Sequence, residues 1–145
     1  MAITTNAICN TFKKELLEAK HNFSNPGGNT FKLAMYTNSA TLGKSTTSFT
    51  TGNEVSSPSG YSSGGKALVN TGTSLATNTA ITDFADLSFV GVTLTARGAL
   101  IYNDSATGDP GVAVLDFGGD KTATSGTFTI QFPAFTTSAA ILRIA

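Results

Sequence analysis

Two runs, Thr95–Asn103 and Val112–Phe117, constrain this chain more than any other feature. Both are dominated by Ala, Val, Leu, Ile and aromatic side chains. They are joined by the polar stretch Asp104–Gly111, which carries Gly108, Pro110 and Gly111. Apolar runs bounded by Gly and Pro read as strands meeting at a turn. The unit predicts a long hairpin in a β-rich domain, and nothing in it gathers the residues that catalysis needs.

Alternation recurs along the chain. In Thr30–Thr37, Phe31, Leu33 and Met35 share one face and Lys32, Ala34 and Tyr36 the other, the pattern of a half-buried strand. Lys66–Asn70 reads as a strand. Ala80–Val90 carries Ile81, Phe84, Leu87 and Phe89 at uneven spacing, which predicts a bulge or turn at Asp83–Asp86. Val92, Leu94 and Ala96 alternate. So do Phe128, Ile130 and Phe132, before Pro133 ends that run. Ala139–Ile144, with Arg143 in it, closes the chain as a strand.

One helix is expected from about Thr5 to His21. Ile8, Phe12, Leu16 and Ala19 fall at helical spacing, with Lys13, Lys14, Glu15, Glu18 and Lys20 on the other faces. Thr5 or Asn6 can cap its start, and Lys20 and His21 suit its negative end. Asn25–Gly28 stops it. A helix this short is marginal alone. Its stripe of Ile8, Phe12 and Leu16 must dock, either on its own sheet or on a neighbouring subunit. With many strands, one helix and no βαβ rhythm, the fold class is mainly β. An antiparallel β-sandwich or barrel with one N-terminal α-helix is expected.

At 145 residues the chain is one domain, 1–145. It divides into a helix and turn over 1–28 and a β-core over 29–145. Within the core, 38–65 is a long polar loop, with room for a short strand at Thr46–Thr51. A loop of this length is functional or ordered by contact. It is read as an interaction surface, with Tyr61 as its anchor because aromatics dominate interface energetics. Its tip, around Ser56–Gly60, is expected to serve contact rather than folding.

Only 12% of the chain is charged, with nine basic and nine acidic residues, against about a quarter in typical domains. A surface of low charge and zero net charge resists self-association poorly. There is no basic patch for phosphate, so nucleic acid is not an expected partner. No apolar run is long enough to span a bilayer, and no signal pattern is read at the N-terminus. Ser and Thr make up about a quarter of the residues, and β-branched Thr suits pleated surfaces.

Catalytic and metal chemistry lacks its components. His21 is the only histidine and is expected as a surface cap at the helix end. Cys9 is the only cysteine, which excludes an internal disulfide, and it reads as a buried, inert thiol. Cys9 and His21 are unaccompanied as zinc ligands. Ser62–Lys66 departs from the phosphate-loop order, since Ala67 follows the Lys. Asp104 and Asp109 share a loop that reads as a turn before it reads as a calcium site. Asp116 and Asp120 flank Phe117–Gly119 in another turn. Arg97, inside an apolar strand, is expected to pair with Asp83, Asp86 or Asp116. No enzyme activity, cofactor or metal is expected.

Phe31–Leu42, Gly60–Leu68, Thr95–Tyr102, Ala113–Gly118 and Gly126–Pro133 together resemble a group of small virion proteins of tailed bacteriophages, cyanophages among them. The resemblance runs from the N-terminal helix to Ile144. Its segments are strand cores with their turns, so they carry the fold and the group rather than a station in the particle. It implies a virion structural protein made in the host cytoplasm, in first place a capsid cement or decoration protein that stabilises the head. A tail, adaptor or baseplate ring component is the alternative, and after it a host-binding fibre module. The implied partners are the chain itself, as a homotrimer or homohexamer, and other virion proteins such as the major capsid protein. Ile8, Phe12, Leu16, Tyr61 and Arg97 are the candidate interaction residues.

Overall fold

A computed structural model describes residues 2–56 and 60–145. The chain runs β1 (Ala7–Ile8), α1 (Asn10–Leu17), β2 (Phe31–Tyr36), β3 (Lys66–Ala67), β4 (Asn70–Ala76), β5 (Thr79–Phe84), β6 (Leu87–Asn103), β7 (Gly111–Ile130) and β8 (Leu142–Ile144). One antiparallel sheet has the order β1-β7-β6-β2-β3 and the other β4-β5-β8. Two antiparallel sheets with one short helix make the architecture of a β-sandwich.

The hairpin β6–β7 is the spine. Its tight end lies where the sequence places it, with Tyr102 opposite Gly111. Toward the other end the ladder slips several times. Between the pairs Gly98↔Asp116 and Ala96↔Lys121, Arg97 alone faces Phe117–Asp120. The expected turn at Phe117–Gly119 is thus a wide bulge inside a strand, with Gly118 at φ 80°. Bulges of this kind bend and twist the strand that carries them.

Three elements depart from the pattern reading. β2 is not half-buried: every residue but Lys32 is buried, Ala34 and Tyr36 included. β6 lies on one side of it, and β3 and the 53–55 segment on the other. Lys66–Asn70 is not one strand. The chain leaves the first sheet after Ala67 and enters the second at Asn70, with Leu68 N–H bonded to Phe31 O and Val69 O accepting from Ala85. The hairpin β4–β5 has no apolar signature in β4, where six of the seven residues are exposed or half-exposed; it is held by main-chain pairing.

The helix is shorter than expected. Its N-cap is Cys9, with no side-chain capping bond, because Ala7 and Ile8 extend instead and pair with Val114 and Ala113. Ile8 is therefore a strand residue, and the docking stripe divides between two elements. The helix ends at Glu18, and Ala19 takes φ 59°. It docks on its own chain, with Phe12 only 2% exposed. No helix among the described residues is long and apolar enough to cross a membrane.

Candidate functional site

The 38–65 loop is laced to the core by the three tyrosines of the chain. Tyr36 OH donates to Thr50 O at 2.7 Å, and Tyr102 OH donates to Gly64 O at 2.6 Å. Tyr61 OH accepts from Met35 N–H at 2.9 Å and donates to Glu54 Oε2 at 2.7 Å. Glu54 also accepts from Ser63 Oγ and Gly64 N–H. One carboxylate thus gathers residues 61–64. The loop borders β2 as well, with Val55 N–H on Met35 O and Thr37 N–H on Asn53 O. Burial raises the Tyr36 hydroxyl to about 12 and pushes that of Tyr61 higher still.

Tyr61 is consequently not a surface anchor. At 4% exposure it is a core residue, because its ring packs on Phe89 and its hydroxyl completes a buried main-chain donor. The expected contact tip includes Ser57–Ser59, which lie outside the described residues. The glycines of Ser62–Lys66 have a steric role. Gly65 has φ +78°, and a Cβ there would stand 1.8 Å from Leu33 O.

His21 is a second correction. It is buried rather than a surface cap, at 8% exposure. Its ring lies 4.7 Å from that of Phe12 and stacks at 6.3 Å on Phe31. Burial of an imidazole requires partners for both nitrogens. Nε2 meets Glu15 Oε1 at 3.0 Å, and Asn103 Nδ2 meets Nδ1 at 3.1 Å. Asn103, fully buried, also donates to Asn29 Oδ1 and accepts from Ser105 N–H. These bonds set the amide's orientation, so Nδ1 of His21 accepts and Nε2–H donates to Glu15. Nothing in the sequence marks Asn103, Glu15 or Glu54 for these roles, since each partner is brought by the fold.

Cys9 is fully buried, as expected, and burial, aided by the Glu15 charge, raises its thiol to about 11. Arg97 pairs with Asp116, one of the three acids considered. The Gly118 N–H and then Arg97 hold the Asp116 carboxyl below its ordinary value. Asp83, almost fully buried, has its carboxyl pushed up by burial, which outweighs the backbone N–H groups of Phe84, donating to Oδ1, and of Ile141. Its Oδ2 has no partner among the described residues. Those residues include no group of three or more His, Cys, Asp or Glu placed to hold a metal ion.

Two grooves open on the surface. One, about 990 Å³, follows β7 between Asn6–Ile8 and Ala139–Ile141 and is lined by Phe117, Phe128 and Phe132. The other, about 630 Å³, lies between α1 and the second sheet. It brings Ile8, Phe12 and Leu16 together as one wall; Tyr61 and Arg97 are not part of it. Apolar side chains also stand in the open elsewhere, Leu17 at 91% exposure and Val69, Leu75 and Val90 each more than half exposed, as is Ile144 at the second groove. Comparison with known proteins finds no family model, no curated protein and no solved structure that matches the chain.

Proposed function

We propose that the chain is a non-enzymatic structural protein of a tailed-phage virion, acting as a capsid cement or decoration protein. The observation that carries the proposal is the character of its surface. Among the described residues six large apolar side chains are exposed, on a chain with 12% charged residues and no net charge. Such a surface loses unfavourable apolar exposure when copies or neighbouring proteins cover it. The polar residues with the most distinctive chemistry, His21, Glu15, Asn103 and Glu54, spend their bonds on the fold itself. The resemblance of the strand cores to small virion proteins supports the same reading.

Quantified protein bands from purified particles test it. Hundreds of copies per particle are expected for a decoration protein. About six to twelve copies would move the assignment to a tail or baseplate ring, where closed cyclic symmetry sets the number. Absence from particles would refute the virion reading. Light scattering on the isolated chain should show a trimer or a hexamer.

A further inference from the structure

The strand β7 has an edge without a partner. It lies between β6 and β1 in its sheet, and β1 covers only Ala113 and Val114. Past Asp116, whose N–H bonds to the Asn6 side chain, no strand among the described residues borders its outer side. A strand sends the main-chain groups of alternate residues to opposite edges. The outer side of Thr122–Ile130 thus presents a row of donors and acceptors that a further extended strand would satisfy. Native chains blunt such edges by brevity, bulges, charge or proline. The other open edges among the described residues follow that rule: β3 and β8 are two and three residues long, and β4 is irregular between Asn70 and Thr73. β7 carries an extra residue at 124–125, but Gly126–Ile130 contains none, and it holds no charge and no proline. That run has about the length of an average strand. Beside it lies the groove of about 990 Å³ lined by Phe117, Phe128 and Phe132.

From this edge we propose that two copies of the chain join through β7, antiparallel, about a two-fold axis at Phe128. In that register Phe128 meets its counterpart on the inner face, Thr127 faces Thr129 on the outer face, and Gly126 leaves room for Ile130. Phe128 and Ile130 are buried while Thr127 and Thr129 are exposed, so the pairing sets inner residues against inner and outer against outer. It is also the register that matches the whole of Gly126–Ile130 with itself. A second copy is the occupant because a foreign strand would bring an open edge of its own. Two-fold pairing of β7 removes both edges at once and closes. No charge in the run opposes its own image across the axis, and the apolar groove lies beside the joint in both copies. The proposal concerns how copies meet and does not rest on the virion reading.

The test is sedimentation equilibrium of the full chain over a concentration series, with hydrogen exchange across 126–130 read by mass spectrometry. The wild type should form dimers, or hexamers of paired trimers, and exchange across 126–130 should slow as concentration rises. Thr127→Lys with Thr129→Lys sets like charges opposite one another on both sides of the axis and should weaken association by about fivefold or more. Thr127→Lys with Thr129→Glu sets Lys opposite Glu in the same register and should restore it. Both variants change exposed side chains and both lose the Thr129 bond to Ser88 Oγ. A folding defect would therefore strike them alike, circular dichroism detects it, and the wild-type measurements stand without them. Equal association of the two folded variants would overturn the proposal, as would exchange across 126–130 that ignores concentration. So would a wild type that stays monomeric or forms only trimers, since a three-fold ring contains no two-fold contact. Particle composition, which decides the virion reading, is measured separately and is independent of every one of these outcomes.

Discussion

Replacing Asn103 should be strongly destabilising. The amide of Asn103 accepts from Ser105 N–H at 2.9 Å and donates toward Asn29 Oδ1 at 3.0 Å and His21 Nδ1 at 3.1 Å. Asn103→Ala removes all of these at once. Ser105 is exposed and Asn29 half-exposed, so both regain water. His21 Nδ1 cannot, because its side chain is fully enclosed. A buried group left unpaired costs about 1–3 kcal/mol, and each exchanged bond about 0.5–1.5 kcal/mol. The sum is about 2–6 kcal/mol, centred on about 4 kcal/mol. For a domain of this size that centre corresponds to a fall in Tm of roughly 12 °C, at about 3 °C per kcal/mol. Urea unfolding followed by far-UV circular dichroism measures it from the shift in midpoint at unchanged slope. Asn103→Asp should be worse, since an oxygen would replace the donating nitrogen opposite acceptors. A cost below about 1 kcal/mol for Asn103→Ala would refute the claim that this amide completes the buried histidine.

Tyr61→Phe should destabilise by about 1–3 kcal/mol in the same assay, because Met35 N–H loses its buried acceptor. Asp83→Asn should raise stability at pH 7. Burial lifts the Asp83 carboxyl above its unfolded value, so its native state favours the proton, and its contribution is fully present below about pH 4 and lost as pH rises. Urea midpoints of wild type and Asp83→Asn should therefore converge at acid pH and separate toward neutrality; a gap independent of pH would contradict this. Cys9, with its thiol raised to about 11 and fully buried, should resist a thiol reagent at pH 8 in the native state and react at once in urea. Gly65→Ala should unfold or strongly destabilise the chain, since its Cβ would collide with Leu33 O; a native-like melting curve would show that β2 and the loop can part at no cost.

The features legible in the sequence are those whose causes are local. The tight end of the hairpin, Thr95–Asn103 with Val112–Phe117, the end of the later run before Pro133 and the turn after Phe84 follow from alternation and from Gly, Pro and Asp within a few residues, whereas the continuity of β6 and β7 past the bulge at 117–120 does not. Phe12 and Leu16 show as an apolar stripe because helical spacing puts them on one face. Arg97 in an apolar strand signals an ion pair, although only the four-residue bulge opposite it selects Asp116. What escapes such reading depends on partners far along the chain. The 38–65 segment is long and polar, so its pattern suggests a surface ordered by contact with another chain. Its order comes from tyrosine hydroxyls, two of them on β2 and β6 and the third, Tyr61, bonded to the Met35 main chain. His21 looks like an exposed cap, yet it is buried because Asn103, 82 residues away, supplies the hydrogen bond that makes burial affordable. By itself the sequence determined that the chain is a β-protein with a helical start, since periodicity and turn chemistry act over short distances. Which polar residues lie inside was decided only by tertiary structure, because a buried polar group is stable only where the fold delivers its partner.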